Sequence, residues 1–194
     1  MARTNICIPC MDMMHQKFVQ SLLAMRKEPD TNIMFGVSSL IYDARNVLAE
    51  NTVRGKYDRI LWLDSDMVFD RDLMEKLSAR LDEGYDMVSA LYVSRKPPIR
   101  PCVYSHVQPG ENAPSIEDYD GAGLVQIEGC GFGAVMMTVD LVNAVGEAYG
   151  RPFSPIIGLG EDLSFCYRVT ALGRKMFCDT DIRVGHCGQM VYKP

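Results

Sequence analysis

The sequence predicts an α/β fold: one domain over residues 1–194 in which a mainly parallel central sheet is flanked by helices and joined by a small antiparallel β element. Three observations predict it. Apolar strand-like runs alternate with amphipathic helix-like segments as far as Val93. The third run, Ile60-Leu61-Trp62-Leu63, is apolar at every position, the pattern of a strand covered on both faces. A length of 194 residues suffices for one well-buried core and falls short of two.

In order, Thr4 to Pro9 reads as the first strand. Asp12 is placed to cap a helix with Met14, Phe18, Leu22 and Met25 on its inner side, which Pro29 stops. Asn32 to Val37 is the second strand. Ser38 or Ser39 caps the next helix, with Leu40, Ile41, Ala44, Val47 and Leu48 inward and Gly55 closing it. Arg59 to Leu63 is the third strand, and Asp70 caps a helix that buries Leu73, Leu77 and Leu81 before Gly84. Met87 to Val93 is the fourth strand. Such a series implies right-handed crossovers and gathers ligands at the carboxyl ends of the strands.

The second half is less regular. SRKPPIRPCVYSHV, punctuated by proline, ends in a strand, and QPGENAPSIEDYDGAG reads as a mobile polar loop. LVQIEGCGFGAVMMTV reads as two strands about a glycine-rich turn, and Asp140 is placed to cap a short helix through Val145. EDLSFCYRVTALG reads as a helix closed by Gly173, and KMFCDTDIRVGHCG supplies one or two strands.

Composition narrows the function. The net charge of -5 gives no broad attraction to nucleic-acid phosphates or anionic lipid, leaving only a local basic patch at Arg95, Lys96 and Arg100. No apolar run approaches bilayer length and the first residues lack a signal-peptide core, so the expectation is a cytoplasmic protein without a membrane span. The seven cysteines follow no spaced framework and are expected to be reduced. Cys7 and Cys10 form a C-x-x-C, but Cys7 lies in the apolar strand run and is expected in the core.

Chemistry concentrates in three places. Asp64 and Asp66 flank Ser65 immediately after the third strand, where two carboxylates either offer hard oxygen ligands to a divalent cation or shape a strand-to-helix turn. Glu161 and Asp162 follow a Gly-x-Gly loop and open a helix. Capping accounts for one acid there, and a second leaves Asp162 available as a general base toward an incoming hydroxyl. His186, in VGHCG, is a packed histidine or a neutral imidazole completing a carboxylate-rich metal site.

Taken in order, IPCMDM, ARNVLAENTVRGKYDRILWLDSDM, GCGFGAVMMT, GEDLSFCYRVTALGRK and GHCG resemble the GT-A glycosyltransferases, particularly the inverting family 2-like enzymes, over nearly the whole chain. The resemblance implies a GT-A-like fold, with residues 1–93 binding the nucleotide sugar and residues 94–194 carrying the acceptor and catalytic half. It implies that Asp64, Asp66 and His186 ligate Mn²⁺ or Mg²⁺ bridging the diphosphate of a nucleotide-sugar donor. Pro9, Arg45, Ser65 and Gly131 would border that donor, Gly129 and Gly133 would let backbone approach its sugar, Asp162 would be the base, and Glu161 would contact the acceptor or orient its loop.

The implied acceptor is a saccharide first. No Q-x-x-R-W motif is present, which excludes a processive synthase. A lid is expected from the loop between Val107 and Gly123 or from a partner, and a homo-oligomer stands as the alternative to a lid-supplying partner. Two alternatives stand beside this reading. ILWLDSDMVFD also resembles the strand and D-x-D of haloacid-dehalogenase-type phosphatases, and a catalytically silent nucleotide-sugar-binding module would use the same cleft.

Overall fold

The structure, a computed structural model, describes residues 2–188. Its elements run β1 (Thr4–Cys10), α1 (Gln16–Ala24), β2 (Thr31–Val37), α2 (Ile41–Arg54), β3 (Arg59–Leu63), β4 (Met67–Val68), α3 (Leu73–Asp82), β5 (Met87–Leu91), β6 (Val103–Tyr104), β7 (Leu124–Ile127), β8 (Gly129–Cys130), β9 (Ala134–Thr138), α4 (Val139–Tyr149), α5 (Glu161–Ala171), β10 (Met176–Arg183) and β11 (Gly185–His186). Seven strands form the central sheet in the order β2-β1-β3-β9-β5-β10-β7. β2, β1, β3, β5 and β10 run one way, while β9 and β7 run against them. The sheet is thus mainly parallel, as the alternating pattern predicts.

Strand alternation sorts the core onto two faces. Cys7, Ile60, Trp62, Val135 and Met137 face a cluster completed by Leu48 of α2, Val142 of α4 and Phe165 of α5. Ile6, Ile8, Leu61, Leu63, Ala134 and Met136 face the opposite cluster, completed by Phe18 of α1 and by Leu73, Leu77 and Leu81 of α3. Trp62 has no exposed surface and meets Phe153 edge to face at 5.1 Å between ring centroids.

Several local expectations are corrected. β9 enters antiparallel between β3 and β5, strands that the early β-α series alone would make neighbours. The cap of α1 is His15, which accepts from the Lys17 amide, so Asp12 and Met14 lie outside the helix and Met14 is exposed. α2 and α3 have no side-chain cap; Ser38 Oγ accepts from the Leu40 amide before α2 begins, and Asp70 serves α3 through its carbonyl, which accepts from the Leu73 amide. Leu40, Ile41 and Val47 are exposed, and the buried face of α2 keeps the expected Ala44 and Leu48 and adds Arg45, Asn46, Ala49 and Thr52. Thr138, not Asp140, caps α4, which runs to Tyr149.

The stretch from Val107 to Gly123, expected as a mobile lid, is pinned in its middle. Val107 is buried, Ile116 and Tyr119 pack on the core, and the Ile116 amide donates to the Val103 carbonyl. All seven cysteines are free, and burial pushes the Cys7 thiol up to about 12, so no thiolate forms there near neutral pH. No helix among the described residues is long and apolar enough to cross a membrane.

Candidate active site

The turn that carries Asp64, Ser65 and Asp66 leaves the carboxyl end of β3, and three distant segments hold its backbone. The Asp64 amide donates to the Gly133 carbonyl at 3.0 Å, the His15 amide donates to the Ser65 carbonyl at 3.0 Å, and the Cys187 amide donates to the Asp66 carbonyl at 2.8 Å. The last bond extends the short antiparallel pairing of β11 with β4, which sets His186 opposite Met67. A two-residue ladder near the chain end therefore places the imidazole beside the strand-exit acids.

His186 Nε2 lies 3.3 Å from Asp66 Oδ2. Its Nδ1 is 3.0 Å from the Val93 carbonyl, which can only accept, so Nδ1 carries the hydrogen and Nε2 is the atom aimed at the acid. The ring meets Tyr92 edge to face, with centroids 5.5 Å apart. Arg95 also pairs with Asp66. Asp64 turns the other way and takes Arg45 Nη2 on Oδ1 at 2.8 Å.

Arg45 is 1% exposed and reaches Glu161 Oε1 through Nε at 3.3 Å. Its guanidinium lies 5.5 Å from the Trp62 ring and 5.4 Å from the Phe132 ring. Burial alone would push Arg45 toward neutrality, but Asp64 and Glu161 outweigh it and hold the group charged. Burial likewise pushes Asp64 up, against the pull of Arg45.

Neither acid of the Glu161-Asp162 pair serves as the cap of α5. Gly160 holds that position without a side-chain bond, Glu161 goes to Arg45, and Asp162 Oδ1 accepts from the Leu163 amide at 2.7 Å. Burial, reinforced by the Glu161 charge, pushes Asp162 up to about 6. A carboxyl near 6 is ionised at neutral pH and keeps far more basicity than an ordinary aspartate. Gly131 sits against this group: a Cβ built there would lie 2.1 Å from Tyr92 Oη and 3.6 Å from Asp162 Oδ2.

A cleft of about 300 Å³ opens beside the turn. The exit of β1 contributes Pro9, Cys10 and Met11, the approach to α2 and its first turn contribute Ser38, Ser39, Ile41 and Ala44, and Asp64, Ser65, Asp66 and Arg95 complete the lining. This volume is at the low end for small-molecule clefts. His186 borders a separate cavity with His15, Lys17 and Val68.

Of the residues singled out in the sequence, Pro9, Asp64, Ser65 and Asp66 line the cleft, and His186 adjoins it through Asp66. Glu161, Asp162 and Gly131 cluster beyond Arg45 and Tyr92, and Gly129 packs under Val107 and Leu163. Among the described residues no group of three His, Cys, Asp or Glu side chains is arranged to hold a metal ion, because Asp64 faces Arg45 while Asp66 faces His186. Sequence reasoning missed Tyr92, whose signal was available: it follows β5 at a strand's carboxyl end. Arg95 stood in the sequence only as part of a basic patch.

The strand order, with helices packed on both faces of the sheet, is that of a GT-A-like α/β fold. Among solved structures, GalNAc-T7 with UDP, GalNAc and Mn²⁺ aligns with a TM-score of 0.67 at 12% identity over 97% of this chain, which spans 44% of that chain's length. A197 from STIV aligns with a TM-score of 0.64 at 19% identity, over 99% of this chain and 97% of A197. No protein family and no curated protein matches the sequence. Likeness at these identities establishes the fold.

Proposed function

We propose that the protein is a metal-dependent glycosyltransferase that moves a sugar from a nucleoside-diphosphate donor to an acceptor hydroxyl, a saccharide first, with inversion. The observation that carries the reading is the approach of His186 to Asp66 across a backbone turn that three remote segments hold. The fold likeness to GalNAc-T7, solved with UDP, GalNAc and Mn²⁺, supports it.

Two side chains, Asp66 and His186, stand where they would begin a site for a divalent cation of the manganese or magnesium kind, Asp64 being turned to Arg45. Asp66 would supply a hard oxygen and His186 an imidazole nitrogen oriented by its bond to Val93, the arrangement usual for metal-bound histidine. A cation held there would supply Lewis-acid stabilisation of the charge that develops on the departing diphosphate. The nucleoside lies along Pro9 and the exit of β1, and Ser38 and Ser39 offer hydroxyls to it. Asp162 takes the proton from the acceptor hydroxyl, and one in-line displacement needs no covalent enzyme intermediate. Residues 1–93 form most of the donor cleft, and residues 94–194 bring the base.

A phosphatase reading would make Asp64 a nucleophile, yet its Oδ1 is engaged by Arg45. A donor-hydrolysis screen with Mn²⁺ over UDP-glucose, UDP-N-acetylglucosamine, UDP-N-acetylgalactosamine and GDP-mannose tests the proposal. Release of nucleoside diphosphate from at least one donor is expected. Phosphate release from a phosphomonoester instead would favour the phosphatase, and binding without turnover would favour a silent module.

A further inference from the structure

We propose that Arg45 is a positioning residue: its buried guanidinium ties the strand-exit aspartate Asp64 to the start of the helix that carries Asp162, and it does not bind the donor. The inference rests on the glycosyltransferase reading for what is positioned, but the tie itself is geometric.

Three observations carry it. First, the cleft is bordered by Ala44 and Asp64 but not by Arg45, whose side chain is 1% exposed. Its Nη1 is buried and finds no hydrogen-bond partner among the described residues, and its burial keeps the unused edge of the fork from being presented to the cleft. Second, the two used nitrogens serve two carboxylates from different parts of the chain, Nη2 to Asp64 at 2.8 Å and Nε to Glu161 at 3.3 Å. A rigid planar fork fixes both acids relative to each other, which a point-charge ammonium cannot do. Third, the Trp62 and Phe132 rings set the guanidinium itself, and both belong to the tightly packed face of the core.

Buried ion networks add little net stability over apolar packing, so geometry is the property this one contributes. Glu161 is the residue before Asp162, and a shift of Glu161 carries the base with it. The Arg45 network therefore sets the distance between the donor end of the site and the base. A misplacement of about 1 Å at such a separation costs about 100-fold in rate.

The test compares wild type with Arg45→Lys. Binding of UDP and of GDP with Mn²⁺ is measured by calorimetry, and kcat and KM for donor hydrolysis on the best substrate of the screen. The expected result for Arg45→Lys is nucleoside-diphosphate affinity within about threefold of wild type and a fall in kcat of about 100-fold with KM nearly unchanged. A loss of affinity matching the loss of rate would make Arg45 a donor ligand and overturn the inference, as would kcat unchanged within threefold. If the lysine variant does not fold, the double variant Arg45→Gln with Glu161→Gln removes a cation and an anion together. Retained affinity with the same fall in kcat is expected there, and a tenfold loss of affinity overturns the inference. Wild type that binds neither nucleotide and hydrolyses no donor brings down the glycosyltransferase reading itself, a result distinct from either variant outcome.

Discussion

His186 Nε2 and Asp66 Oδ2 stand 3.3 Å apart although one lies near the chain end and the other at the exit of β3. The relationship is held from both sides. The Val93 carbonyl fixes the tautomer of the ring, and the Cys187 amide fixes the backbone of the acid. A pair so restrained loses little entropy on closing around a cation.

His186→Ala should therefore weaken Mn²⁺ binding by at least about tenfold, roughly 1.4 kcal/mol, with thermal stability in metal-free buffer nearly unchanged. Titration calorimetry with Mn²⁺ alone checks this. Equal affinities in variant and wild type would remove His186 from the ligand set.

Arg95 pairs with the same carboxylate and is half-exposed, so it would compete with a cation held by Asp66. Solvent screening limits such a pair to about 0–1 kcal/mol, so Arg95→Met should tighten Mn²⁺ binding by no more than about fivefold. If the guanidinium instead contacts the donor phosphates once they bind, UDP affinity will fall in the same variant while Mn²⁺ affinity rises. Measuring the two ligands separately distinguishes these effects.

Donor transfer should rise with pH through about 6, as Asp162 loses its proton, and then level. Asp162→Asn should abolish turnover while retaining nucleotide binding. Stability has the opposite sign. The carboxyl binds its proton more tightly in the folded chain, so its contribution is full below the ordinary 3.8 and is lost as pH rises through about 6. At pH 7.5 the asparagine variant should melt higher, by about 2–4 °C for each kcal/mol relieved. A lower melting temperature, or an acid limb that persists in residual activity of the variant, would contradict the assignment.

Gly131→Ala should destabilise by about 1–3 kcal/mol and depress turnover, because the added methyl meets a buried tyrosine hydroxyl at 2.1 Å beside the base. Combining it with Tyr92→Phe removes the offending oxygen and should recover part of the stability. No recovery in denaturant titrations would place the strain elsewhere.

The sequence by itself determined the alternation of strands and helices, the carboxyl end of β3 and the two acids there, because period-2 and period-3.6 patterns and strand-exit position are local properties. It also placed Glu161 and Asp162 at the opening of a helix, where Gly160 holds the cap position and Asp162 Oδ1 accepts from the Leu163 amide. Helix caps were misread at Asp12 and Asp140 because any short polar residue near a helix start satisfies the local rule, and only backbone geometry chooses His15 and Thr138.

Tertiary structure alone decided the insertion of β9 between β3 and β5, the partner of each carboxylate and the burial of Arg45. An arginine on a helix reads as solvent-facing until the packing of Trp62 and Phe132 closes over it, and two aspartates one residue apart read as one ligand pair until Arg45 and His186 draw them in opposite directions. Those choices depend on contacts between residues far apart in the chain, and no local pattern encodes which distant charge an acid will meet.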